Sequence, residues 1–146
     1  MLNFTASYVD RPPGVTVRAP GRMAEHLDTG REGEQLACRF LEELGLEVLH
    51  RNWRHARDEV DLIARTAREI VFVEVKTRRS DRSGQPFEAV GLAKRRKLLR
   101  AAEAYLAQHP SELDVRFDVV SIVLGPSGPR IEHLPEAFFN TPDGPQ

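Results

Sequence analysis

Cysteine is almost missing from this 146-residue chain. Cys38 stands alone, so no internal disulfide can form, and a reducing compartment, the cytoplasm, is the expected setting. Long apolar runs are missing as well. The longest uncharged stretch, Val119–Pro129, has 11 residues and is broken by Gly125 and Pro126, whereas a membrane span needs about 20 apolar residues. No basic-then-apolar segment opens the chain, so no secretory signal is expected. There is no phosphate-binding loop, dinucleotide fingerprint or Gly-x-Ser-x-Gly elbow. The five histidines (His26, His50, His55, His109, His133) lack metal-ligand spacing. What remains, 40 % hydrophobic and 29 % charged with mean hydropathy −0.42, describes a globular domain without a membrane segment. A chain of this length buries roughly 70 % of its unfolded surface and needs no staple.

The net charge of −1 is unevenly spread. Lys76 to Arg100 holds nine basic and two acidic residues, +7 over 25 residues, which leaves −8 on the other 121. Such a block suits a polyanion-facing surface, or simply a solvated helix face. Residues 1–28 carry Pro12, Pro13, Gly14, Pro20 and Gly21 without periodicity and read as a tail, as do 141–146. Between them, 29–140 reads as one domain.

Thr29-Gly30-Arg31-Glu32 has capping-box spacing, and Gly33, Ala37, Phe40, Leu41 and Leu44 follow at helical intervals up to Gly45. A helix is expected over 30–44. Strands are expected over 46–52, 59–65, 70–77 and 115–124, with an edge strand at 130–134. A second helix is expected over 89–108. This order predicts an α/β fold in which a mixed central sheet is flanked by helices. Asp118, in an apolar strand, is expected to form a buried structural pair, with Arg116 as a partner. Trp53 and Cys38 read as packing residues.

The chemistry concentrates in the 59–77 hairpin. Val71, Val73 and Val75 share one face, and Ile70, Phe72, Glu74 and Lys76 the other. Val60, Leu62 and Ala64 are expected together, opposite Glu59, Asp61 and Ile63. A two-residue loop, Ala67-Arg68, sets opposed positions so that Asp61 faces Glu74 and Glu59 faces Lys76. Opposed Cβ atoms lie about 4.5–5.5 Å apart, and two buried carboxylates at that distance repel unless a proton, a lysine or a cation lies between them. A hard cation such as Mg²⁺, with Mn²⁺ as a substitute, takes such oxygens and leaves positions for water and phosphate. Lys76 on the same face would hold a water or phosphate oxygen. A cross-strand salt-bridge cluster without catalysis uses the same residues.

Asp61 followed by Glu74-Val75-Lys76 resembles the Asp…(Asp/Glu)-x-Lys signature of restriction-endonuclease-like nucleases, including archaeal Holliday-junction resolvases. More closely, the chain is similar to the bacterial family typified by YraN. The matching stretches are Gly30–Ala37, Arg51–Arg54, Glu59–Ala64, Val71–Arg78, Ala89-Val90 with Lys94, Arg116–Val120 and Ala137-Phe138. The resemblance implies an α-β-β-β-α-β nuclease core, with Asp61 and Glu74 as metal ligands and Lys76 beside the attacking water. Glu34 would be a further acid near the metal, although by spacing alone it fits an exposed helix carboxylate equally well. It departs from the family at Asp58, where glycine is usual. Lys94, Lys97 and Arg100 recur along one side of the second helix and, with Arg78, Arg79 and Arg82, are expected to track phosphates. The expected activity is structure-selective phosphodiester hydrolysis on DNA, with a homodimer as in related resolvases. The alternative is a non-catalytic module on the same scaffold that binds nucleic acid or a partner.

Overall fold

The computed structural model describes residues 29–79 and 91–138. Its elements are α1 (Thr29–Glu43), β1 (Glu47–His55), β2 (Asp58–Arg65), β3 (Glu69–Arg78), α2 (Leu92–Gln108), β4 (Asp114–Gly125) and β5 (Gly128–Phe138). The strands form one mixed sheet in the order β1-β2-β3-β4-β5. Only β3 and β4 run parallel, joined through α2, and the other neighbours are antiparallel. The α/β architecture is thus α-β-β-β-α-β followed by β5, consistent with a restriction-endonuclease-like core.

A helix covers each face of the sheet. Ala37, Phe40 and Leu41 of α1 pack on Leu62, Ala64, Val71, Val73, Val120 and Ile122. Leu98, Ala101, Ala102 and Tyr105 of α2 pack on Ile63, Ile70, Phe72, Phe117 and Val119. This explains why β3 and β4 are apolar on both faces rather than alternating with polar residues.

α1 ends as expected: Gly45, at φ +93°, donates to Glu42 O and Leu46 donates to Leu41 O, a Schellman closure. Its start differs. Thr29, the first described residue, already lies within the helix, and its hydroxyl accepts Arg79 Nε at 3.1 Å. Gly33 is buried where α1 crosses β3, and a Cβ there would stand 1.7 Å from Thr77 Oγ1. Glycine is what permits the helix to lie that close.

Thr66 fixes the hairpin. Its Oγ1 accepts the Arg68 and Glu69 amides at 3.2 and 3.0 Å, and its own amide donates to Glu69 O. The turn therefore holds two residues, Ala67 and Arg68, and the expected register follows: Arg65↔Ile70, Ala64↔Val71, Ile63↔Phe72, Leu62↔Val73.

Other expectations need correction. β1 runs three residues beyond Asn52, because Asn52 takes φ +51° and re-aims the strand instead of ending it. A bulge at Val48/His50 adds to this irregularity. Val60 packs with the α2-side cluster while Leu62 and Ala64 pack under α1, so strict alternation breaks at Asp61. β5 spans 128–138 instead of a short edge segment. The described part of α2 starts at Leu92, and Ala89, Val90 and Arg82 lie outside the described residues, as do both tails.

Asp118 is a buried structural anchor, as expected, with Arg116 as its main partner. Arg116 Nε and a terminal nitrogen donate to its carboxylate at 2.8 and 3.0 Å, and the Glu136 amide donates at 3.1 Å. His133 Nε2 lies 2.8 Å away, and Arg116 also reaches Glu69 at 2.6 Å. Cys38 is buried in α1. Among the described residues no helix is long and apolar enough to cross a membrane.

Candidate carboxylate and lysine site

The regular β2–β3 ladder stops at Leu62–Val73, and the next opposed pair is Asp61 and Glu74. Here the strands part. Asp61 Oδ2 accepts the Val75 amide at 2.7 Å, so a side chain replaces a backbone rung at the mouth of the fork. Glu74 is buried, with its side chain on the α2 side, where Lys94 Nζ lies 3.3 Å and Lys76 Nζ 3.8 Å from Oε1. Its other oxygen, Oε2, is buried without a hydrogen-bond partner among the described residues.

The electrostatics follow from this crowding. Burial, and then the Glu74 carboxylate, push the Asp61 carboxyl up to about 7, against the pull of the Val75 amide and Lys94. A carboxyl held there is one whose negative form lacks enough positive charge nearby. A buried Glu74 oxygen without a hydrogen-bond partner among the described residues and an under-compensated Asp61 fit a hard divalent cation, which would supply the missing positive charge. No three His, Cys, Asp or Glu side chains converge as a cation cage among the described residues. A cation here would therefore complete its shell from water, backbone carbonyls or a phosphate.

Glu34 sits one residue after Gly33, on the first turns of α1 against the end of β3. It reaches the fork indirectly: Asn52 Nδ2 donates to Glu34 Oε2 at 2.9 Å. The pairings Arg51↔Leu62 and Trp53↔Val60 put Asn52 across from Asp61. Asn52 thus bonds the helix acid from the strand position across from Asp61. Its role had no spacing signal, because it depends on β1 continuing through a left-handed residue.

The expected phosphate-tracking residues divide. Lys94 lies within the site, against Glu74. Lys97 stays on the exposed side of α2. Arg100 forms a two-pronged bond with Asp58, at 3.1 and 2.9 Å, and this bond holds the Asp58 carboxyl below its usual range. The charge introduced at Asp58 is therefore neutralised from α2. Arg78 and Arg79 continue from the end of β3, with Arg79 bonded to Thr29. Arg82 lies outside the described residues. The expected Glu59–Lys76 pairing falls beyond the end of the ladder, and Glu59 instead lies 3.5 Å from Arg54.

A family model described as "Uncharacterised protein family UPF0102" matches residues 33–122. A UPF0102 protein of Bacteroides thetaiotaomicron is 43 % identical over 117 residues, covering 80 % of this chain and 97 % of that protein. One from Rhodococcus opacus is 47 % identical over 118 residues, covering 80 % of this chain and all of its own length. One from Syntrophus aciditrophicus is 45 % identical over 118 residues, with 80 % and 93 % covered. The matched stretch contains Glu34, Asp61, Glu74, Lys76 and Lys94 together. The chain belongs to the UPF0102, or YraN-like, family.

Proposed function

We propose that this protein is a metal-dependent nuclease that hydrolyses phosphodiester bonds, structure-selectively on DNA. One observation carries the reading: two carboxylates meet in an opened strand fork, with one buried oxygen of Glu74 lacking a hydrogen-bond partner among the described residues and two lysines close to the other. Asp61 and Glu74 would hold Mg²⁺ or Mn²⁺, which when bound supplies positive charge to the scissile phosphate and acidifies water.

The chain's own residues do the rest. Lys76, two residues beyond Glu74 on the same strand, holds a water or a phosphate oxygen at the fork. Lys94 approaches from α2 and adds a second positive charge where negative charge builds up on the phosphate. Asn52 orients the Glu34 carboxylate. Lys97, Arg78 and Arg79 offer backbone contacts, which position a strand without reading its sequence.

The test is a panel of labelled single-stranded, nicked, flapped and four-way substrates with Mg²⁺ or Mn²⁺. Metal-dependent cleavage should disappear in Asp61→Asn and in Lys76→Ala while binding persists. A second reading, a non-catalytic nucleic-acid-binding module, is favoured by the two lysines, which already offset the charge of Glu74 without a metal. Salt-sensitive, metal-indifferent binding with no cleavage of any substrate would select it.

A further inference from the structure

Beside the fork, the edge strand β1 and its turn carry Arg51, Arg54 and Arg57 with His50 and His55, and no acidic residue between Glu47 and Asp58. All three arginines and His55 are exposed. Arg54 shows 73 % of its side chain, and its contact with Glu59 is long, at 3.5 Å. A series of aromatic rings runs along the α2 side of this strand, shared by Trp53 and His55, with Arg54 leaving the exposed edge from the other side. Trp53 stands edge-on to Tyr105 at 5.4 Å, and His55 lies parallel to Trp53, 10° off, at 6.2 Å. Tyr105 in turn contacts Phe72, and Phe72 contacts Phe117, in the core. The series thus starts on a rigid base and ends in solvent at His55.

We infer that the Trp53–His55 end of β1 is a docking site for an unpaired nucleotide, with Arg54 and Arg57 taking the flanking phosphates. The inference deepens the proposed function by naming the substrate class, and it rests on the nucleic-acid part of that reading. Stacking needs a bare base face, which duplex DNA does not present and a single strand, flap or branch does. The basic edge complements the phosphates of the same strand. Position supports the pairing of tasks: Trp53 is opposite Val60, the neighbour of Asp61. A nucleotide stacked there puts its neighbouring phosphodiester close to the carboxylates. Sequence alone reads Trp53 as core, and half of it is: the ring is partly buried against α2, which gives the platform its rigidity.

Trp53 is the sole tryptophan, so its fluorescence reports on the site directly. The full chain, in EDTA so that cleavage cannot intervene, is titrated with an oligothymidylate, with an oligouridylate of equal length and with a blunt duplex. Quenching by the single strands and none by the duplex is the expected result. The oligouridylate arm then tells whether ribose is accepted. His55→Ala should weaken single-strand binding by about tenfold, and Arg54→Ala with Arg57→Ala should reduce the salt slope by about 1.4, at about 0.7 for each phosphate of a single strand. Each changes only exposed side chains, whereas Trp53→Ala disturbs packing. Binding that leaves the fluorescence unmoved and is indifferent to these variants overturns the inference, as does equal quenching by duplex, or no binding at all. Quenching without cleavage under any metal sustains the inference and removes the nuclease. Cleavage with unmoved fluorescence does the reverse.

Discussion

Replacing Asp61 with asparagine should make the metal-free protein more stable at pH 8, not less. The substitution keeps an oxygen that accepts the Val75 amide and removes a charge that lies beside Glu74. Burial and Glu74 raise the Asp61 carboxyl from 3.8 to about 7. A group whose folded pKa is raised lends its stabilisation fully below its unfolded value, near pH 4, and loses it as pH rises through about 7. At about 1.4 kcal/mol for each pH unit, the ceiling of this loss is about 4 kcal/mol. Water reaching the half-buried fork screens the pair, and about 2 kcal/mol is the realistic gain. In a domain of this size that is roughly 8 °C in Tm. Thermal melts in EDTA from pH 4 to 8 measure it: Asp61→Asn and wild type should converge at pH 4, separate as pH rises to about 7 and run parallel above that. Mg²⁺ at ten times its Kd should then lift wild type by about 1.4 kcal/mol and leave the variant unmoved. An asparagine variant that melts at or below wild type at pH 8 would refute the account of an under-compensated Asp61 beside Glu74.

Three further outcomes are expected. Gly33→Ala forces a Cβ into Thr77, 1.7 Å from Oγ1, and should cost about 1–3 kcal/mol, read as a lower urea midpoint with an unchanged slope. Asp118→Ala removes the carboxylate that accepts from Arg116 and the Glu136 amide and lies 2.8 Å from His133 Nε2. The expected loss is about 3–5 kcal/mol, measured by chemical denaturation. Asp58→Asn weakens the two-pronged hold on Arg100 and returns that guanidinium to the surface. Nucleic-acid binding should become tighter and its salt slope steeper by about one, checked by anisotropy across a salt series.

The carboxylate pair was legible in the sequence because everything that sets it is local. Thr66 closes a two-residue turn, two β-prone runs flank it, and the register that results runs to Leu62↔Val73, one position short of Asp61 and Glu74, whose carboxylates interact. The two-sided burial of β3 and β4 was legible for a similar reason, since their apolar runs leave no polar face. The remainder was hidden where one residue redirects the chain or where distant segments meet. Asn52 takes a left-handed conformation within β1, and across from it the alternation of β2 breaks at Asp61, so that Val60 packs on the other face. Whether a lysine of α2 reaches Glu74, or an arginine nearly two turns further on turns to Asp58, depends on how the helix is rotated against the sheet. Spacing along the helix is the same in either case.

The side-chain rung between Asp61 and Val75 bears on how an inactive control should be made. Truncation to alanine removes the carboxylate and also abandons a backbone amide, inviting the two strands to zip one pair further and shut the fork. A dead protein of that kind reports a collapsed doorway as readily as a missing ligand. Asparagine keeps the doorway propped open, so it isolates the loss of charge.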